Sequence, residues 1–150
     1  MLSLSAATDV ATIGAAVVAA ISLIVAAHNT GITRRTNRAL FWLDLRRMFA
    51  AHERIHRLLR PDGDWASNNL GPKPEEWPEV EAYLGLFEIC EDLLAEGLID
   101  EATFQKGYAY RIGNIVDNET IRREKPVKRA QYWTRFLSLA TRMGIEVPST

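Results

Sequence analysis

The stretch FWLDLRRMFAAHERIHRLL, Phe41 to Leu59, decides how the chain is read. Phe41, Leu45, Met48, His52, Ile55 and Leu59 follow one another at steps of 4, 3, 4, 3 and 4, with Leu40 and Leu58 beside them. That is a helical seam. It predicts a helix ending near Arg60, because Pro61-Asp62-Gly63-Asp64 is turn chemistry. The same stretch holds His52, Glu53 and His56 in the order of the zinc-protease pattern H-E-x-x-H. On a helix the two imidazoles share a face, with Glu53 placed as a base. A third protein ligand is needed, and no histidine follows His56, so Glu75, Glu88 or Glu91 would have to serve. Arg54 and Arg57 set fixed positive charge beside the ion, and His52 belongs to the apolar seam. A polar residue inside a helix interface, able to respond to pH, is the reading preferred over a metal site.

Upstream, Val10 to Thr33 contains no charged side chain, and Val10 to Ala27 is almost wholly apolar. About 20 such residues cross a bilayer as a helix. No Lys or Arg precedes the run, whereas Arg34, Arg35 and Arg38 follow it. A secretory leader has the opposite polarity. The expected reading is therefore a single-span anchor over residues 1–33, amino terminus outside, with residues 34–150 cytosolic. A buried core helix is the alternative. Ala7, Ala11, Ala15, Ala19 and Ala27 recur at multiples of four, a spacing that lets spanning helices pack closely. Together with the seam below, this predicts a homo-oligomer with Ala11, Ala15, Ala19 and His28 at its membrane interface. Such a bundle is an inert anchor or the wall of a pore.

Downstream, a loop over residues 61–77 is bracketed by Trp65 and Trp77. A second helix is expected near Pro78, burying Val80, Tyr83, Leu84, Phe87, Cys90 or Glu91, and Leu94, with Gly97 at its end. Asp100 caps a third, with Ile99 and Phe104 as a staple and Phe104, Tyr108, Ile112 and Ile115 inward. Gly107 and Gly113 are read as points of close approach. A fourth helix is expected after Pro126, turning Tyr132, Trp133, Phe136, Leu137, Ala140 and Met143 inward and ending at Gly144. No segment alternates as strands do, so the fold class is all-α, with about four cytosolic helices.

The net charge of −1 hides a basic–acidic–basic partition. Residues 34–60 carry eight Arg and two acids, residues 61–101 one Lys and twelve acids, and residues 102–150 nine basic and four acidic groups. The first block suits anionic headgroups. Cys90, the one cysteine, excludes an internal disulfide framework. In the last block Arg122, Arg123, Lys125, Lys128 and Arg129 precede Trp133, an arrangement that can hold phosphates and stack a base. Its plainer reading is a solvated helix start. No phosphate-binding glycine loop or partnered nucleophile is evident, so neither an enzymatic activity nor a cofactor is expected.

The segments GLFE (Gly85–Glu88), GLID (Gly97–Asp100), GYAYRI and YWTRFLSLA resemble a bacterial family in which one N-terminal spanning helix precedes a small cytosolic helical module of unknown function. The resemblance covers most of the chain and implies that architecture. It rests on core and capping residues and implies no activity. In layout the chain also resembles small membrane effectors of anti-phage defence. That likeness implies an inner-membrane protein whose module senses a nucleotide or oligonucleotide, with the bilayer and its own copies as partners. An accessory subunit bound to another membrane protein is the alternative, and a zinc metallopeptidase the third.

Overall fold

The computed structural model describes residues 39–68 and 70–148, and among them all regular structure is helical. All described residues from Phe41 onward fall in one compact unit. The expected span, with Ala11, Ala15, Ala19 and His28, lies outside the described residues. Among those described, no helix is long and apolar enough to cross a membrane.

Helix α1 covers residues 39–51 and α2 covers Glu53–Leu59. The expected single helix is thus tightened at His52, whose N–H reaches back three residues to the Phe49 carbonyl at 3.2 Å. It stops where expected, with Arg60 extended at ψ 156°. The seam faces the chain's own core: Leu45, Ile55 and Leu59 are buried, Phe41 and Met48 partly so. Leu45, Ile55 and Leu59 of the seam are thus taken up by the chain's own core, while Leu40 beside it is 54 % exposed. The residues expected as a loop contain a turn of helix, α3 (Asp64–Ser67), and a 3₁₀ turn at Pro74–Glu76. Trp65 pins α3 in the core.

Helix α4 (Trp77–Ala95) buries Val80, Tyr83, Leu84, Leu86, Phe87, Cys90, Glu91 and Leu94. Gly97 follows at φ 66°, a left-handed conformation that favours glycine. Helix α5 (Glu101–Asp117) begins as expected: the Asp100 carboxylate accepts from the Thr103 N–H at 2.8 Å, and Ile99 and Phe104 are both buried. Gly107 and Gly113 correct the reading of close approach, since a Cβ at either would meet nothing within 4 Å.

Phe49 joins the layers. Its ring stacks on Tyr108 of α5 at 4.3 Å and meets Phe87 of α4 edge-on at 5.2 Å, while Phe87 meets Phe136 near the chain's end at 6.2 Å. Such pairs add about 0.5–1.5 kcal/mol each beyond their buried area. After the short α6 (Glu119–Arg122) the chain widens into a π turn at Arg123–Val127. Pro126 has no N–H to continue an α ladder and its ring crowds the preceding turn. The Lys128 N–H instead reaches back five residues to the Arg123 carbonyl at 3.0 Å. Helix formation resumes only at α7 (Thr134–Arg142), later than the expected start after Pro126. Phe136, Ala140 and Met143 are buried as expected, together with Leu139. Trp133 and Leu137 are half-buried, and Tyr132, expected inward, is 71 % exposed.

Candidate functional site

The histidine pattern lies in a polar cluster walled by aromatic rings where α2, α4 and α5 meet. Arg111 of α5 sets its electrostatics. The guanidinium lies over the rings of Phe49, Tyr108 and Tyr110 at 5.2, 5.8 and 5.8 Å, and faces the Glu53 carboxylate at 3.6 Å. The Arg111 Nε–H donates to the Tyr110 hydroxyl at 3.2 Å, and that oxygen lies 3.3 Å from His56 Nε2. A neutral His56 with a free Nε2 lone pair accepts from Tyr110 and completes an Arg111→Tyr110→His56 chain. The ring is 4 % exposed, and burial, then the Arg111 charge, hold its pKa below the ordinary imidazole value against the pull of Glu53. His52 is half-buried and tilts against Tyr83, ring centroids 5.8 Å apart. Burial likewise pushes the Tyr83 hydroxyl up.

This geometry does not suit a divalent metal. His56 Nε2 is engaged by the Tyr110 hydroxyl, Arg111 occupies the side of Glu53, and among the described residues no three His, Cys, Asp or Glu side chains are grouped to hold an ion. Glu75, Glu88 and Glu91 do not complete the set: Glu91 is bound elsewhere, by Arg142 and Ser138. What the cluster can do is hold a neutral imidazole beside a fixed cation at the α1–α2 joint. Cys90 is equally unsuited to nucleophilic work, because burial pushes its thiol up to about 12.

The basic segment is the second candidate, and the fold divides its members. Lys125, 6 % exposed, lies 4.7 Å from the Trp77 ring centroid and pairs with Glu81. It fastens the π turn to the start of α4 and is withdrawn from any surface ligand. Arg122 donates to the Val116 carbonyl at 2.8 Å. Arg123 pairs with Glu119 and Glu124 at 4.0 and 3.5 Å, and Lys128 with Glu124 at 3.0 Å. Exposed pairs of this kind contribute about 0–1 kcal/mol and yield readily to a competing anion. Arg129 is exposed and makes no ion pair among the described residues. Tyr132 stands beside this group on the 3₁₀ turn Ala130–Tyr132. The available surface is thus Arg123, Lys128, Arg129 and Tyr132, with Trp133 half-buried behind it. Sequence reasoning turned Tyr132 inward; its place before the helix, not on it, is what frees it.

A crevice of ≈ 190 Å³ between α2, α3 and α5 is lined by Leu59, Pro61, Trp65, Asn114, Asp117 and Asn118. That is smaller than the roughly 300–1,000 Å³ usual for ligand pockets. Asn118 there is structural: its amide donates to the Leu70 carbonyl at 3.0 Å and its side-chain oxygen accepts from Ile121 N–H at 3.0 Å.

No family model, no curated protein and no solved structure matches the chain.

Proposed function

We propose that the chain is a membrane-anchored, self-associating protein whose helical module works by binding, not by catalysis. The observation that carries this reading is the apolar run Val10–Ala27, with small residues every fourth position and Arg34, Arg35 and Arg38 after it. Its flanking charges support a module on the cytosolic side of an inner membrane. In the effector form of the proposal, a nucleotide or short oligonucleotide engages Arg123, Lys128 and Arg129, with a base on Tyr132, and the spanning bundle perturbs the bilayer. Support for the anion comes from the exposed position of Arg129 and the weak pairing of Arg123 and Lys128. Extraction of the full chain into mild detergent, light scattering on the eluted particle, and titration with a labelled single-stranded oligonucleotide test it. A defined oligomer that binds the oligonucleotide, with affinity falling as salt rises, is the expected result. A chain that stays in solution without detergent overturns the anchor, and an oligomer indifferent to the oligonucleotide overturns the effector.

One observation favours an accessory subunit instead. Lys125 and Arg122, both counted among the ligand-binding residues on sequence, serve the fold itself. A monomer recovered only with another membrane protein is the result expected of that reading.

A further inference from the structure

Two helix faces keep a large apolar side chain outside the fold. On α1, Leu43, Arg46, Arg47 and Ala50 share one face by their i, i+3, i+4, i+7 spacing, and all four are exposed, Leu43 at 47 %. On α4, Gly85, Glu88 and Ile89 share a face at its outer edge, with Ile89 48 % exposed and Glu96 two turns further, while Asp92 on the same side is held by Arg135 of α7 at 3.0 Å. A Cβ at Gly85 would meet nothing within 4 Å, so the surface beside Ile89 is open. The charges around the two apolar residues are opposite in sign. Arg47 holds only Asp44 of its own helix, at 3.4 Å, and among the described residues Glu88 and Glu96 make no ion pair.

We propose that the outer face of α1 in one copy packs on the outer face of α4 in another, Leu43 against Ile89, with Arg46 and Arg47 among the carboxylates of Glu88 and Glu96. The inference rests on the self-association reading above and assigns the cytosolic surfaces that serve it. Each face carries the complement of the other, so further copies of the same chain cover both. An anionic lipid surface would attract the arginines but would leave Ile89 and the acidic face uncovered. Charge complementarity of this kind fixes register and suppresses wrong partners.

Charge reversal tests it in the full chain in mild detergent, read by light scattering across a dilution series. Arg46→Glu/Arg47→Glu and, separately, Glu88→Arg/Glu96→Arg are each expected to raise the dissociation constant at least tenfold. All four substitutions in one chain restore association, since the faces are again opposite. Circular dichroism checks that each variant keeps its helix content. Oligomers unaffected by either reversal, or not restored by the fourfold variant, overturn the assignment and leave self-association standing. A wild-type chain that is monomeric in detergent removes both. Reversal that only weakens binding to vesicles of phosphatidylcholine and phosphatidylserine shows that lipid is the occupant of α1, and overturns it as well.

Discussion

Replacing Arg142 by alanine should cost the module about 3 kcal/mol, because it strands a buried carboxylate. Glu91 of α4 is 6 % exposed and accepts from Arg142 Nε at 2.9 Å, Arg142 Nη2 at 2.9 Å and Ser138 Oγ at 2.8 Å. Burial pushes its carboxyl up, but the bonds from Arg142 and Ser138 outweigh that and hold it below the ordinary value. Removing one partner of a buried pair typically costs about 3–5 kcal/mol. Arg142 is about one-third exposed and Ser138 remains, which places the loss at the lower end. A change of about 3 kcal/mol lowers Tm by roughly 10–15 °C in a unit of this size. Urea and thermal unfolding of the full chain, followed by circular dichroism, read it. The double variant Glu91→Met/Arg142→Met should return to within about 1 kcal/mol of wild type, since it buries neither charge. The pH dependence carries the same sign. A carboxyl with a lowered folded pKa contributes stability that is full above its unfolded value and lost as pH falls through the folded one. Wild type should therefore lose more stability on acidification below pH ~4 than the double variant does. A loss under about 1 kcal/mol for Arg142→Ala, or a double variant as damaged as the single, would refute the reasoning.

Gly85→Ala, Gly107→Ala and Gly113→Ala each gain roughly 0.5–1 kcal/mol, measurable as a higher Tm, because each lies inside a helix with open space at its Cβ position. Gly63→Ala does the reverse, since its Cβ would fall 2.2 Å from the Arg57 carbonyl oxygen. His56 has its pKa lowered in the folded chain, so its contribution is full above the ordinary imidazole value of about 6.5 and is lost as pH drops below it. His56→Gln should flatten the stability profile between neutral and mildly acidic pH; an unchanged slope there would show that His56 is not its source. Lys125→Ala lowers Tm through loss of the Trp77 and Glu81 contacts, whereas Arg129→Ala leaves Tm unchanged and weakens oligonucleotide binding. Equal effects of the two on both readouts would contradict the division of roles drawn for the basic segment.

Local chemistry was legible in the sequence wherever neighbours along the chain settle the outcome. The Asp100 cap, the stripe from Val80 to Leu94, and the glycines at φ 66° and 74° after α4 and α7 all follow from spacing and from residues three or four apart. What was not legible depends on partners far along the chain. Glu91 and Arg142 are 51 residues apart, and nothing local pairs them. A signal did exist: an acid on an otherwise apolar stripe must find a cation if it is buried. Lys125 gave no such sign, because it sat in a run of like charges whose members looked equivalent. The π turn at Pro126 misled the reading of the last helix. A proline suggests a helix start, whereas here the chain passes through the π turn and the 3₁₀ turn Ala130–Tyr132 before α-helical bonding resumes at Thr134. The role of the histidine pattern depends on Tyr110 and Arg111 of α5, which stand in the GYAYRI segment 54 residues and more from the histidines and are not part of the histidine pattern itself.

Leu45, Phe49, Ile55 and Leu59 make the helices that lead in from the amino-terminal side part of the core itself. Those helices work as a rod bolted into the body and not as a tether tied to its outside. Trimming the chain back to Pro61 would therefore gut the module, not release it. A pull or twist arriving along α1 would meet no slack before it reached the rings of Tyr83, Phe87 and Tyr108.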